Sequence, residues 1–424
     1  MLQGGWLLGQ ERPWLGHGPG MVPFVYPEVR ARLVGGVETS YQLHCAPLHW
    51  WATTGLFGFG ALAALFGLVL REWWLWRREP NSLRRNFSLI GGVTLIAYAG
   101  LSLTDYQLYV IPLVALLALY AGTLLARRRE ETAPGRRLLL PTLLGLGGVG
   151  ALVVLVPHWQ AHSLHWKALA ETPGTERVTL AQRMMASVAA APWSTHYRNQ
   201  AGFQLARAAG ESRDPALRLS ARRVLGSSLA LDPAQEPVHA ALGWLWIPDD
   251  PAQARAHFER ALQLLPDRAS THLGLALSCL AQGDRDSCVQ ALAMELLVNP
   301  FFVASPYWLQ EPLQDLREPA YTRWLALTDR ALADPQFPAW RRPPFVYGRA
   351  VARWWREGRQ PSAEELGGAP APARQVFEAF GGQQGAGPLP ARWAALREAL
   401  LNHGGKLRER IPELPEATVL ATNL

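Results

Sequence analysis

The fold is decided by two stretches near the start of the chain, Pro13-Trp-Leu-Gly-His-Gly-Pro-Gly20 and Gln42-Leu-His44-Cys-Ala-Pro-Leu-His-Trp-Trp-Ala-Thr-Thr-Gly55-Leu-Phe-Gly58. The first is rich in glycine and proline, the residues that build tight turns. The second runs directly into an apolar segment that begins at about residue 50. The sequence therefore predicts that the titratable side chain of His44 lies at a membrane surface, beside the mouth of a hydrophobic helix.

Apolar runs divide the 424-residue chain, of which 49% is hydrophobic, into a membrane part and a soluble part. Each run has about 17 to 21 residues, and a helix of that length crosses a hydrocarbon core of about 30 Å. No comparable run follows Trp159. The sequence predicts an all-α protein whose residues 50–157 form a transmembrane bundle of about four spans, at about 50–70, 87–104, 108–126 and 138–156.

Arginines set the expected orientation, because positive residues in short loops favour the cytoplasmic side. They cluster after the first and third runs, at Arg71, Arg77, Arg78, Arg84, Arg85, Arg127, Arg128, Arg129, Arg136 and Arg137. The connection around Asp105 carries no positive charge. We therefore expect a multi-pass protein of the inner membrane, with the loop at residues 1–49, the Asp105 connection and the chain after residue 157 in the periplasm.

The basic composition, with an isoelectric point near 9.6, does not indicate a nucleic-acid partner. About a quarter of all lysines and arginines lie in the two arginine-rich loops, where topology and anionic lipid account for them. The chain also lacks the G-x-x-x-x-G-K-[ST], G-x-S-x-G and Cys-x-x-Cys patterns. Nucleotide hydrolysis, serine hydrolysis and structural zinc are thereby disfavoured.

Neither a metal nor another cofactor is expected. His158, His162 and His165 follow the last apolar run at helical spacing, and two of them are candidates for one face of a helix. No carboxylate or cysteine cluster accompanies them, however, and they alternate with Trp159 and Trp166. This mixture is typical of the aromatic belt at a membrane interface.

The soluble part has the spacing of a helical repeat. From about Pro192 amphipathic segments alternate with proline, glycine and aspartate, and helix-ending prolines recur at Pro233, Pro266 and Pro300, 33 and 34 residues apart. This period is typical of tetratricopeptide repeats. Residues 158–334 are therefore predicted to form an α-solenoid of helix pairs, which serves either as a spacer for the membrane part or as a binding face for a protein partner.

Two features of the soluble part leave alternatives open. Cys279 and Cys288 occupy small-residue positions on the two helices of one repeat, where they form either a disulfide in an oxidising compartment or two small core residues. Residues 335–424 form a tail rich in proline, glycine and alanine, with helical pieces such as 391–403. This tail either packs on the repeats or stays partly disordered.

The opening stretches resemble motifs of the O-antigen ligase and polymerase family, over roughly the first 125 residues. That family has a P-x-x-G-x-G turn and, at the start of a transmembrane helix, a motif like H-N-x-x-L-x-x-x-x-E-x-G-x-x-G. Cys45 stands where Asn or Ser is usual, and Thr53 stands where Glu is usual. The matching residues are Pro13, Gly16, Gly18, His44, Leu48, Gly55 and Gly58.

The resemblance implies a membrane glycosyltransferase that moves a glycan from a polyprenyl pyrophosphate carrier to an acceptor hydroxyl. Family members have further spans upstream of the turn, so we expect the chain to be the back part of a longer protein or an N-terminally truncated form. The class of acceptor, and the choice between ligase and polymerase, stay open. A non-catalytic membrane scaffold whose repeats recruit partner proteins is the alternative.

Four residues are the candidates for this chemistry. A histidine, with a pKa near 6.5, is a suitable base for the acceptor hydroxyl, and His44 is therefore predicted to be catalytic. Arginine donates paired hydrogen bonds to phosphate oxygens, so Arg30 and Arg32 are predicted to bind the pyrophosphate. Asp105, an ionisable residue between two apolar runs, is predicted to bind substrate, as the resemblance also implies.

Overall fold

The computed structural model describes residues 2–33, 40, 42–78, 80–104, 116–122, 139–173, 176–309, 311, 313–357, 359 and 361–368. Every regular element in these ranges is helical, which confirms the all-α prediction. The chain divides into two compact units. The first comprises Met1–Val238 with Gln263–Leu265, and the second comprises His239–Leu262 with Pro266–Leu424.

The helices follow one another with short connections over most of the described ranges. In chain order they are α1 (Leu2–Glu11), α2 (Val22–Arg30), α3 (Ala46–Trp76), α4 (Ser82–Leu101), α5 (Leu139–Glu171), α6 (Arg177–Ala190), α7 (Thr195–Ser212), α8 (Pro215–Leu229), α9 (Glu236–Trp246), α10 (Pro251–Leu264), α11 (Thr271–Ala281), α12 (Arg285–Val298), α13 (Arg317–Ala333) and α14 (Arg342–Glu357). Short 3-10 turns lie between α12 and α14 and after α14.

One helix in the described ranges, α3, is long and apolar enough to cross a membrane. It has 31 residues and contains the predicted span at 50–70. The helix α4 covers most of the predicted span at 87–104, and α5 contains nearly all of that at 138–156. Most of the predicted span at 108–126 lies outside the described residues, and a bundle of four spans stays a prediction.

Two helices, α1 and α2, lie within the stretch that the sequence indicated as a loop. Their core contains Leu8, Tyr26 and Leu43, which are at most 3% exposed. Glycines on α1 permit this packing, since a Cβ at Gly9 would lie 2.6 Å from the ring of Trp51 on α3. The loop predicted before α3 is therefore a folded support for the start of that helix.

In the second unit, glycines on two helices lie against the ring of one buried phenylalanine. Phe258 on α10 is fully buried. Its ring lies where a Cβ at Gly243 on α9 would come within 2.7 Å, and a Cβ at Gly274 on α11 would clash with the same ring. A side chain at Gly243 or Gly274 would therefore displace the ring of Phe258. The tetratricopeptide assignment stays a prediction.

The core of the second unit continues past residue 334, where the sequence indicated the start of a tail. Trp324 on α13 and Val351 on α14 share one buried cluster, and the hydroxyl of Tyr321 donates to the carbonyl of Ala352 at 2.5 Å. The helical piece predicted at 391–403 lies outside the described residues. Within the described ranges, α14 is therefore part of the core.

Cys279 and Cys288 are both buried core residues. Cys279 on α11 and Cys288 on α12 are free thiols, each at most 1% exposed. Burial raises the pKa of Cys288 to about 12, with the neighbouring Cys279 as a smaller cause. Of the two alternatives from the sequence, the structure has the pair of small core residues.

Candidate functional site: the glycine turn and the entrance of α3

The helix α3 is interrupted at Gly55. This residue has a φ of 65° and a ψ of −172°, which lie outside the helical region. An interruption leaves carbonyl groups before it and N–H groups after it without their partners inside the helix, and such groups need other hydrogen bonds when they are buried.

The glycine turn at residues 13–18 supplies donors for the carbonyl groups that precede the break. The backbone N–H of His17 donates to the carbonyl of Ala52 at 2.9 Å, and that of Gly18 donates to the carbonyl of Thr53 at 2.8 Å. Both carbonyl groups belong to the first part of α3. The turn therefore replaces bonds that a continuous helix would make by itself.

The same turn supplies acceptors for the N–H groups that follow the break. The N–H of Leu56 donates to the carbonyl of Pro13 at 2.8 Å, and that of Phe57 donates to the carbonyl of Trp14 at 3.4 Å. Hydrogen bonds thus run in both directions between the turn and α3. The two sequence motifs form one structural element, although the residues that these hydrogen bonds join are 35 or 43 positions apart in the chain.

Close backbone approach explains two of the motif glycines. Gly16 has a φ of 67°, and a Cβ there would overlap the backbone of Thr53. At Gly55 a Cβ would overlap the backbone of Trp14. Any side chain at either position would separate the turn from the break, so both glycines are needed for contact as well as for their positive φ.

His44 is exposed and lies in the short segment that leads into α3. Hydrogen bonds from backbone N–H groups hold this segment on both sides of His44. The N–H of Leu43 donates to Nδ1 of His49 at 3.2 Å, and the N–H of Ala46 donates to the carbonyl of Ser102 at 2.8 Å. The imidazole of His44 is therefore presented to the surroundings from a fixed backbone.

His49 is a further residue of this site, which the sequence did not place among the candidates for catalysis or binding. It is 2% exposed, in the first turn of α3, and its Nδ1 accepts the hydrogen bond from Leu43. A neutral ring that accepts at Nδ1 carries its proton at Nε2. The sequence signal was a polar residue soon after Pro47, since proline is common in the first turn of a helix.

The two predicted arginines have different surroundings. The side chain of Arg30 is 3% exposed and lies 3.8 Å from the carboxylate of Glu236, which is 2% exposed. Its Nε donates to the carbonyl of Leu264 at 3.3 Å. The guanidinium of Arg30 is therefore directed into the first unit, where it connects α2 to the starting turn of α9 and the end of α10.

The side chain of Arg32 is 63% exposed and lies 3.5 Å from the carboxylate of Glu11. Ion pairs at such exposure contribute little stability, so this contact leaves the guanidinium accessible to a ligand. Asp105 lies outside the described residues. The structure thus provides an exposed histidine on the segment that leads into α3, and an exposed arginine directly after α2, which packs against α1.

The histidines that follow the last apolar run form an aromatic cluster. The ring of His165 on α5 lies 5.7 Å from that of His196 and 5.6 Å from that of Tyr197 on α7. Burial lowers the pKa of His165 and His196, and neighbouring histidines lower it further. Within the described ranges no group of three or more His, Cys, Asp or Glu side chains has metal-binding geometry.

Comparisons with known proteins returned no match to a protein-family model, to a curated protein or to a solved structure.

Proposed function

We propose that this chain takes part in transfer of a glycan from a polyprenyl pyrophosphate to an acceptor hydroxyl in cell-envelope polysaccharide or glycoconjugate assembly. The observation that carries the proposal is the exposure of His44 on a fixed segment at the start of a helix long enough to cross a membrane. A lipid-linked donor reaches such a position from the membrane, whereas an acceptor reaches it from the aqueous side.

In the proposed reaction, His44 removes the proton from the acceptor hydroxyl while the oxygen attacks the anomeric carbon of the donor. The bond between this carbon and the pyrophosphate oxygen breaks, and polyprenyl pyrophosphate leaves with the bonding electrons. Histidine suits the first task, because its neutral form is available near neutral pH. No metal or other cofactor is part of the proposal.

In this proposal, Arg32 stabilises the negative charge that grows on the departing pyrophosphate. Asp105 binds the substrate in the same site. Guanidinium donors in a fixed fork fit phosphate oxygens. Arg30 was assigned the same role from the sequence, yet contact with the donor would first require it to leave its buried pair with Glu236. We therefore propose that Arg30 positions Arg32. The buried contacts of Arg30 hold the last turn of α2, and Arg32 follows this turn directly.

Insertion of residues 50–157 into the inner membrane as four spans, with residues 158–334 as a periplasmic repeat domain, belongs to the same proposal. Exposed apolar side chains on α3 and α4 support it, because contiguous apolar surface of this kind normally contacts lipid or a partner. Examples are Phe57, Leu65, Ile90, Val93 and Ile96, which are between 51% and 70% exposed.

Replacement of His44 by alanine, and separately by glutamine, tests the base in the intact membrane protein. We expect transfer to fall by about 10²- to 10⁴-fold at unchanged expression, because a positioned general base contributes about that much. The assay measures the amount of glycan that moves from a polyprenyl pyrophosphate donor to the acceptor. His162→Ala, at an exposed histidine of α5, is the matched control and should transfer normally.

Full transfer by the His44 variants would contradict the assigned base. It would favour the alternative role, in which the chain is a membrane scaffold and its helix pairs recruit a protein partner. Helix pairs of the α9–α12 type support that alternative, because stacked pairs commonly bind proteins on a concave face.

A further inference from the structure

A basic surface lies where α3 ends and α4 begins, far along α3 from His44. Its described members, which we call the hairpin arginines, are Arg71, Arg77, Arg78 and Arg85, and all four are exposed. Residues 71–85 contain five arginines and two glutamates, Glu72 and Glu79, and therefore carry a net charge of +3. Glu72 is buried and accepts a hydrogen bond from Arg71 at 2.6 Å. An excess of positive charge thus remains on Arg77, Arg78 and Arg85.

Arg77 is the best-positioned member of the hairpin arginines. Its guanidinium carbon lies 4.4 Å from the ring centroid of Trp74 and 6.0 Å from that of Trp73. Contact with an aromatic face restricts a guanidinium without using its N–H groups. The edge of Arg77 is therefore available for paired hydrogen bonds to the oxygens of a phosphate group.

Large apolar side chains lie beside these arginines along the chain. Trp74 is 56% exposed, Leu75 is 38% exposed, and Phe87 on α4 is 47% exposed. An inorganic phosphate ion has chemistry only for the arginines. A phospholipid has chemistry for both parts, because its acyl chains cover apolar side chains and its phosphate binds cations at the membrane surface.

Packing between α3 and α4 supports the surface that carries the hairpin arginines. Val69 on α3 and Leu95 on α4 are both buried in one cluster between the two helices. The hydroxyl of Tyr120 donates to the carbonyl of Ser88 at 3.0 Å. Packing on this side fixes the end of α3 that carries Trp74.

We propose that the turn between α3 and α4 binds the headgroup of an anionic phospholipid, with Arg77 on Trp74 as the phosphate contact and Arg78 and Arg85 as supporting charges. The site rests on the membrane insertion of α3 that is part of the proposed function. It does not depend on the transfer reaction or on His44. Its ligand is the lipid phosphate, and its charge complementarity favours acidic over zwitterionic headgroups.

The test compares intact protein reconstituted in nanodiscs of phosphatidylcholine alone with protein in nanodiscs that also contain phosphatidylglycerol. Lipid that stays bound after detergent extraction is quantified by mass spectrometry. We expect phosphatidylglycerol to be enriched in the bound lipid relative to the bulk bilayer. Arg77→Gln should reduce this enrichment about fivefold, since one arginine near an anionic surface contributes on the order of 1 kcal/mol.

Further variants separate charge from geometry. Arg77→Lys keeps the charge but not the planar fork, and Trp74→Leu keeps apolar surface but not the aromatic platform, so each should lose part of the enrichment. Arg207→Gln, at an exposed arginine of α7, is the matched control and should bind lipid normally. Equal enrichment in the wild-type and Arg77→Gln proteins would overturn the site.

Two other outcomes are decisive. Loss of the enrichment on addition of millimolar inorganic phosphate would show that the arginines bind free phosphate, and would overturn the lipid assignment. Failure to enter nanodiscs of either composition would overturn membrane insertion and this site together. Insertion without enrichment would overturn the site alone and leave the proposed function intact.

Discussion

At the level of single residues, the glycines of α3 differ sharply in what surrounds them. Gly55 has a positive φ and lies against the backbone of Trp14, whereas a Cβ added at Gly60 would have no neighbour within 4 Å outside its own helix backbone. Both are glycines in one helix, and only Gly55 belongs to the motif that the sequence matches. Their difference arises because the turn at residues 13–18 contacts α3 at one of them.

Replacement of Gly55 by alanine should destabilise the first unit by about 1 to 3 kcal/mol, because the residue has a strained φ and its Cβ would overlap a fixed backbone. Gly60→Ala is the control and should be neutral or stabilising by up to about 1 kcal/mol, since alanine favours helix. Thermal unfolding of the intact protein in detergent measures both variants. Equal melting temperatures for the two would contradict the docking of the turn onto α3.

Arg30 shows how far a sequence pattern can define a residue. Its type and position indicated a contact with phosphate, but in the structure its guanidinium lies beside Glu236 and the carbonyl of Leu264. Arg30 and Leu264 are 234 positions apart in the chain. Local patterns carry no information on such a pairing, and a buried charge needs a partner of this kind.

Among the elements, α9 and α10 are connected by a pair of histidines. Nδ1 of His239 lies 3.0 Å from Nδ1 of His257. Burial and, to a smaller extent, the proximity of His239 lower the pKa of His257 from 6.5 to about 4. Folding therefore disfavours protonation of His257, which in the unfolded chain has the ordinary pKa of a histidine.

The stability of the α9–α10 pair should therefore depend on pH. The unfolded chain binds more protons than the folded chain at pH values between about 6.5 and about 4, so stability is complete above this window and decreases as the pH falls through it. His257→Gln should keep on the order of 1 kcal/mol more of its stability at the acidic end. Amide hydrogen exchange of peptides from residues 236–264 provides the measurement.

His162→Gln is the control for this prediction, since His162 is exposed on α5. It should leave the exchange of the α9–α10 peptides unchanged at every pH. The measured rate at each pH is divided by the intrinsic chemical exchange rate at that pH. If the protection of these peptides in the wild-type protein does not decrease between neutral and acidic pH, the proposed role of the histidine pair is wrong.

For the whole molecule, orientation in the membrane is the property on which the proposed chemistry depends. The arginine pattern predicts that the His44 segment lies outside the cytoplasm and that the turn between α3 and α4 lies inside. Cys45, Cys279 and Cys288 are buried, so none of them is a suitable label. Positions 44 and 78 are both exposed and lie near opposite ends of α3.

His44→Cys and Arg78→Cys therefore form a matched pair of topology reporters. In intact spheroplasts a membrane-impermeant thiol reagent should label the cysteine at position 44 and leave that at position 78 unlabelled until the membrane is opened. The wild-type protein measures the background from its buried cysteines. The reverse pattern would place the His44 segment in the cytoplasm and contradict the proposed site.

The sequence by itself determined the helical class, the first span candidate, and the glycines at positions 16 and 55 of the two motifs. These features depend on local periodicity, apolar length and backbone freedom, which a short stretch of chain contains. The role of His44 stays a prediction. The sequence did not predict the helices α1 and α2, because both are short and contain glycine or proline.

The tertiary structure decided what each motif contacts. Only the fold brings the carbonyl groups of Ala52 and Thr53 to the turn at residues 13–18, gives His49 the N–H of Leu43, and directs Arg30 to Glu236. The contacts of the turn and of Arg30 join segments that are distant in the chain, whereas the contact of His49 depends on where α3 begins. Their partners are chosen by the need to satisfy buried hydrogen-bonding groups and charges, a condition that exists only once the chain has folded.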